Sequence, residues 1–327
     1  MRGVMREVPV EEYLEFVCRN RRVVIEDQEI PLEPIEVKRL NPYPEELTDT
    51  STTVWSFPER GSWATHRGDY RGNWPPQIPR TLILRYTKPG DVVLDPMVGS
   101  GTTCIEAILL GRNCIAVDIS YSAVMLTHHR LYYLVKALSE SKQRSLDEFT
   151  GRQAGCGGAG GAWYRVYHGD ARKLDKIPDG SIDLVATHPP YLSIIRYGEG
   201  RAEGDLSRAG SLEEYLRLLR EVASEAYRVL KPGGILGILV GDTRVKKHYV
   251  PLSHYALLIL LDVGFVLKEE VVKIQHKMKT TREVWSKLDS RDFLLIYHEK
   301  LFILEKPKTP DHGLKYSAKQ PFVEIKL

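Results

Sequence analysis

The stretch Leu94-Asp95-Pro96-Met97-Val98-Gly99-Ser100-Gly101-Thr102-Thr103 decides the fold. It continues the apolar run Val92-Val93 and leads into Thr103 to Gly111, which has helical spacing and a closing glycine. A strand that empties into a glycine loop opening a helix turns backbone N–H groups toward a nucleotide cofactor, and small residues permit the close approach. Cys114 to Asp118 reads as the next strand, making the segment a βαβ unit. Asp118 stands 17 residues beyond Gly101, the distance at which such units place an acid on ribose hydroxyls.

Downstream the alternation continues. Tyr121 to Leu138 is helical in pattern. Tyr164 to Tyr167 reads as a strand delivering His168-Gly169-Asp170-Ala171, and Ile182 to Ala186 as a buried strand delivering Thr187-His188-Pro189-Pro190-Tyr191. Both deliveries fall on the carboxyl edge of a parallel sheet, where open α/β folds bind ligands. The paired prolines stiffen the second corner, which presents a carbonyl and an aromatic face to a planar, amine-bearing group. Ser211 to Leu230 reads as a serine-capped helix broken by Lys231-Pro232-Gly233-Gly234, before the buried strand Ile235 to Val240 and Gly241-Asp242. A helix over Leu252 to Asp262 and strands near Val271, over Phe293 to Tyr297 and over Leu301 to Leu304 give an antiparallel finish. The fold class is α/β: a seven-stranded, Rossmann-like sheet with helices on both faces.

Upstream, Val10 to Arg22 is amphipathic and Glu29 to Glu46 is rich in Pro and Glu, so residues 1–49 read as an arm. Thr50 to Pro79 is dense in Trp, Gly, Pro and Arg, a composition that suits an ordered loop pinned to a core better than a linker. The main domain then covers 50–306, with a tail over 307–327. Its glycine run at 151–161 lacks a Gly-Lys-Ser/Thr ending and reads as a mobile insertion.

The 327 residues, 43% hydrophobic and 27% charged, suffice for one large core. No apolar run reaches the roughly 18 residues of a membrane span, and Met1 to Val10 has no apolar signal core, so a cytoplasmic location without membrane contact is expected. Cys18, Cys104, Cys114 and Cys156 form no Cys-x-x-Cys pair, which predicts free thiols and no metal site. A net charge of +3 neither demands nor excludes a polyanionic partner. Scarce Asn and Gln beside plentiful Glu, Arg and Lys is a thermophile-like bias.

The glycine loop and the Pro-Pro-Tyr corner together resemble the class I S-adenosylmethionine-dependent amino-methyltransferases, which methylate exocyclic nitrogens of adenine and cytosine. The resemblance covers about Thr50 to Lys306. It implies S-adenosylmethionine as cofactor, held by Asp95, Pro96, Gly99, Ser100, Gly101, Thr102 and Thr103 around the methionine part. Asp118 would take the ribose, and Asp170 with Ala171 the adenine. It also implies that the segment from Thr53 to Arg80, including Trp74, closes over the methionine end. Here the cofactor half comes first in the chain, and little length remains for a target-recognition domain.

In that family the carbonyl of the first proline, here Pro189, and the side chain before it hold the hydrogens of the reacting amine. The preceding position is commonly Asp, Asn or Ser; here it is His188, whose neutral imidazole accepts a hydrogen bond and takes up a proton near pH 7. Thr187 is a further acceptor, Pro190 completes the corner and Tyr191 would stack on a base that has left its helix. A neutral residue before the prolines tilts the reading toward cytosine N4 in DNA. Cytidine in structured RNA is the alternative; a protein glutamine substrate and an inactive nucleic-acid-binding protein are lesser ones.

Arg196 and Arg201, in a loop spanning 196–212, and Lys277, Lys279 and Arg282, within 273–288, are candidate target contacts, although a solvated basic loop has the same composition. Trp55, Trp63 and Trp74 read as core or lid, His66 and His298 as structural, and Asp242 as either a turn acid or a pocket residue.

Overall fold

The computed structural model describes residues 5–25, 28–47, 49–150, 161–190, 205–276, 286 and 292–309. In chain order its elements are β1 (Arg6–Glu7), α1 (Val10–Arg19), β2 (Arg22–Ile25), β3 (Gln28–Pro31), β4 (Val54–Ser56), α2 (Gln77–Tyr86), β5 (Val92–Asp95), α3 (Thr102–Leu109), β6 (Asn113–Asp118), α4 (Tyr121–Thr150), β7 (Tyr164–His168), β8 (Ile182–Thr187), α5 (Leu212–Val229), β9 (Leu230–Gly241), β10 (Thr243–Val245), β11 (His248–Val250), α6 (Leu252–Val263), β12 (Val266–Ile274) and β13 (His298–Glu305). Contacts divide the chain into two compact units, Gly3–Leu47 with Arg60–Ala171, and Thr48–Glu59 with Arg172–Leu327.

In the first unit β5, β6 and β7 are parallel neighbours, with Leu94 opposite Ile115 and Ala116 opposite Val166. The near-continuous apolar runs of β5 and β6 suit strands covered on both faces, and α3 and α4 pack on these strands and β7. The residues read as an arm are built into this unit. β1 pairs antiparallel with β7, and Met5, Val8, Tyr13 and Ile30 are all buried. The low apolar content of the segment hid how few side chains suffice to dock it.

That docking depends on two histidines of α4. His128 Nε2 lies 2.8 Å from the Val8 carbonyl, and His129 Nε2 lies 2.9 Å from that of Glu33, while the Tyr13 hydroxyl bonds His129 Nδ1 at 2.9 Å. Burial pushes both imidazoles below the usual histidine range, His129 to about 4. They are neutral in the fold and bind protons only on unfolding, so their stabilisation is complete above pH 6.5 and is lost as the pH falls through about 4. Tm is therefore expected to drop between pH 6.5 and 4, and His129→Gln should flatten that part of a Tm-against-pH curve; an unchanged curve would remove His129 from the linkage.

The expectation of free thiols is met by Cys18 and corrected for Cys104 and Cys114. Cys104 of α3 and Cys114 of β6, both fully buried, form a disulfide with their Cα atoms 5.4 Å apart. A separation of 10 residues matches no local cysteine motif; the βαβ turn brings the two side chains together.

In the second unit β8 and β9 are parallel, β13 lies antiparallel between β9 and β12, and β4 adds parallel to β12. These four longer strands and the three parallel strands of the first unit match seven of the strands expected; β1 and β4 are short additions. Ser211 caps α5, its hydroxyl accepting from the Glu214 amide at 3.1 Å. Phe293 to Tyr297, expected as a strand, is not one; pairing begins at His298, opposite Ile274. No described helix is long and apolar enough to cross a membrane.

Candidate active site

The glycine loop is organised from within the first unit. Asp95, at the end of β5, accepts from the Thr103 hydroxyl at 2.5 Å and from the Met97 amide at 3.2 Å, tying the two ends of the loop together. Gly99 donates its N–H to Asp118 at 2.8 Å and accepts at its carbonyl from the Thr127 hydroxyl at 3.0 Å. Its φ of +54° favours glycine, and a Cβ there would lie 2.9 Å from the Tyr70 ring. Gly101, at φ +85°, caps α3. Ser100, Thr102 and Thr103 are buried, and Pro96 follows Asp95 directly. Asp118 also accepts from the Ser120 amide at 2.9 Å. Because β5, β6 and β7 are parallel neighbours, Asp95, Asp118 and the pair Asp170-Ala171 come to one edge, as the sequence spacing implied.

The aromatic segment before α2 is pinned beside this loop. Asn73 donates to the Ser100 hydroxyl at 3.2 Å and to the Arg67 carbonyl at 3.0 Å, and Arg130 donates to the Ser100 carbonyl at 3.1 Å and pairs with Asp69. The anchor is Glu106 of α3, fully buried, which accepts from Trp63 Nε1 at 2.7 Å, His66 Nε2 at 2.7 Å and Arg80 at 2.8 Å. His66 is thus structural. Trp74 is buried in this unit, whereas Thr53 lies exposed in the other, its carbonyl accepting from the Val272 amide at 2.8 Å.

The second unit holds the corner. Thr187 ends β8, and its buried hydroxyl has no hydrogen-bond partner among the described residues. His188 Nε2 lies 3.9 Å from Glu299 Oε1, too far for a hydrogen bond and close enough for a charge pair once the imidazole is protonated. Lys273 donates to the other oxygen of Glu299 at 2.7 Å. Strand pairing brings these groups together, since Glu299 of β13 stands opposite both Gly241 of β9 and Lys273 of β12. From below, the Tyr215 hydroxyl of α5 donates to the Pro190 carbonyl at 3.2 Å. Pro189, between His188 and Pro190, is buried.

Asp242 is a turn acid: it accepts from the Ser253 amide at 2.8 Å and hydroxyl at 3.0 Å and from the Tyr249 hydroxyl, fastening the start of α6. Tyr191, Arg196, Arg201, Lys277, Lys279, Arg282 and the glycine run lie outside the described residues. Sequence reasoning missed Glu299, Tyr215, Tyr70, Asn73 and Glu106. All of them, Glu106 on the helix after the glycine loop included, reach their partners through tertiary contacts that no local motif signals.

A glycine loop with acids on three adjacent parallel strands in the first unit, and a Pro-Pro corner at the carboxyl end of a parallel strand in the second, are features of the class I methyltransferase fold. The DNA methylase family matches residues 8–128 and 182–325. The chain belongs to that family, and residues 81–250 also match the RMKL-like methyltransferase domain. Among relatives, a Type II methyltransferase of Moraxella bovis, M2.MboI, is 34% identical over 28% of this chain and 34% of its own length. A tRNA (guanine(10)-N2)-dimethyltransferase of Methanothermobacter thermautotrophicus is 25% identical over 64% of this chain and 48% of its own. The chain thus spans about a third to a half of the length of these relatives. The crystal structure of TrmN from Thermus thermophilus is 20% identical with a TM-score of 0.41, covering 72% of this chain and 50% of that one.

Proposed function

We propose that this protein transfers methyl from S-adenosylmethionine to an exocyclic amino nitrogen of a nucleic-acid base, cytosine N4 in DNA being the favoured target. The observation that carries the reading is the Thr187-His188-Pro189-Pro190 corner at the carboxyl end of β8, backed by Glu299.

The first unit fits the cofactor. Only glycine leaves room at position 99 beneath Tyr70, and the loop amides and Asp118 stand ready for a ribose and a methionine backbone. Arg60 adds an anion site: it donates to the Asn73 and Trp74 carbonyls at 3.1 and 2.8 Å, while its buried Nε and second terminal nitrogen have no partner among the described residues. Burial, with Arg130 nearby, pulls its guanidinium down to about 10, a cost that a carboxylate relieves. Arg60, Ser100 and Asn73 would therefore hold the amino-acid end, and Asp118 and Asp170 the nucleoside. When bound, S-adenosylmethionine supplies an electrophilic methyl group.

The corner prepares the amine. Its lone pair is delocalised into the ring, so the nitrogen becomes nucleophilic only when both hydrogens are held and it is drawn toward tetrahedral geometry. The Pro189 carbonyl accepts one hydrogen and the His188 imidazole or the Thr187 hydroxyl the other. The proton shed on methylation passes to His188, whose imidazolium the Glu299 carboxylate stabilises. Tyr215 holds the Pro190 carbonyl and so fixes the peptide plane of the corner. Tyr215→Phe is expected to cost about 1 kcal/mol of stability and to lower kcat about tenfold with the cofactor KM unmoved; an unchanged kcat would make that hydrogen bond purely structural.

The test is transfer of labelled methyl to duplex DNA and to ribosomal RNA, followed by nucleoside digestion and mass spectrometry. N4-methyldeoxycytidine supports the favoured reading, and N6-methyldeoxyadenosine moves the target to adenine. Label confined to RNA supports a second reading, a structured RNA substrate, which is favoured by the relative named for a tRNA activity matching more than half of this chain. No transfer to either nucleic acid overturns both.

A further inference from the structure

We propose that the β10–β11 hairpin is a phosphate clamp that seats duplex DNA beside the corner, an inference that rests on the nucleic-acid reading above. β9 runs parallel to β8 with Ile238 opposite Thr187, and Thr243 begins the hairpin five residues further along. The hairpin therefore extends from the same edge of this unit that carries His188.

Its sequence, Thr243-Arg244-Val245-Lys246-Lys247-His248-Tyr249-Val250, contains three cations, a histidine and no acid. Val245 pairs with His248, leaving a two-residue loop, Lys246-Lys247. Both lysines have positive φ, +47° and +69°, and with Ala64 they are the only described residues other than glycine that do. Such a loop requires the left-handed region at both central positions, and Asn-Gly is the pair that occupies it at least cost. Lysine carries a steric penalty there, at two adjacent positions. Fold stability therefore does not explain the two residues, whereas a role for their charges does.

The surroundings make the loop a rigid mount. The Arg244 guanidinium lies 5.4 Å from the Tyr249 ring centre and 5.2 Å from that of Phe293, and it donates to the Leu294 and Lys247 carbonyls at 3.0 and 2.8 Å. Tyr249 is tied in turn to Asp242. Lys246, Lys247, His248 and Tyr249 are exposed. Lys247 pairs with Asp292 at 2.9 Å, but both side chains are about half exposed or more, and a surface pair of that kind yields readily to a phosphate. Duplex DNA, with one charge per roughly 1.7 Å of axis, complements the exposed cations Lys246 and Lys247 and releases counterions on binding them. A backbone contact of this kind positions the duplex without reading its sequence.

The substitution that removes the charges also improves the turn. The double variant Lys246→Asn with Lys247→Gly should raise Tm and leave S-adenosylmethionine binding intact. Its affinity for a duplex oligonucleotide, followed by fluorescence anisotropy, should fall about tenfold at low salt, and the slope of log affinity against log salt should shrink by about 1 to 2. An unchanged affinity and slope overturn the clamp, as does a loss seen with a structured RNA probe alone. If the double variant lowers Tm, Lys246→Gln carries the same test at half the change in slope. Wild-type protein that binds no nucleic acid overturns the functional reading itself, whereas wild-type binding with an unaffected variant overturns only the hairpin.

Discussion

Glu299→Gln is expected to slow methyl transfer by roughly 10- to 100-fold and His188→Ala by 10²- to 10⁴-fold, both with S-adenosylmethionine binding retained. The smaller effect follows from the geometry. A carboxylate 3.9 Å from an imidazolium contributes on the order of 4 kcal/mol at an effective dielectric constant of about 20, and Lys273 on the other oxygen cancels part of it. The remainder corresponds to one or two powers of ten in rate. Glu299 is a positioning and charge-stabilising residue that acts through His188, so the two substitutions must not be additive. In a His188→Asn background, Glu299→Gln should cost little more. Equal losses in both backgrounds would make Glu299 structural, the support of Lys273 alone. A His188→Asn enzyme as active as wild type would remove the histidine from proton transfer while leaving the Pro189 carbonyl in place. Kinetics with saturating cofactor, read beside Tm, separate these results.

Glu106→Ala is expected to destabilise the first unit by about 3–5 kcal/mol, the range for removing one partner of a buried charge pair. The carboxylate satisfies Trp63, His66 and Arg80 at once, and its loss leaves two buried donors and a partly buried guanidinium without their acceptor. Glutamine is a poor rescue, because its NH2 group must face one of those donors. Trp63→Phe removes a single donor and should cost about 1 kcal/mol, provided the smaller ring repacks. Urea unfolding of the three variants orders them, and near-equal values for Glu106→Ala and Trp63→Phe would refute a shared anchor. Weaker cofactor binding by Glu106→Gln is the expected companion effect, because Tyr70 and Asn73 reach the glycine loop from the segment that Glu106 fastens to α3.

The parts of this architecture that were legible in the chain are local. Asp95 to Thr103 carries its own turn chemistry, Ser211 its own cap, and the Pro-Pro corner its own stiffness, so the strands and helices around them follow from spacing. What escaped depends on pairing between distant segments. Glu299 lies 111 residues beyond His188 in the chain and reaches it only because β13 inserts between β9 and β12. Lys246-Lys247 has none of the Asn or Gly that marks a two-residue hairpin, so the residues between Gly241-Asp242 and the helix at Leu252 carry no local turn signal. Residues 1–49 have the composition of an exposed segment, yet docking requires only a few buried contacts, such as Met5, Val8 and Tyr13, together with carbonyls offered to two histidines.

The Cys104–Cys114 bridge has a practical corollary for handling the protein. Both sulfur-bearing residues are sealed from solvent, so a small reductant reaches them only when the helix following the glycine loop lifts away from its strand. Cys18, by contrast, is exposed and open to alkylation at all times. With reductant and a thiol-alkylating dye present together, the delayed appearance of label at positions 104 and 114 times the breathing of the cofactor loop's foundation, and a bound ligand that steadies the loop will lengthen that delay.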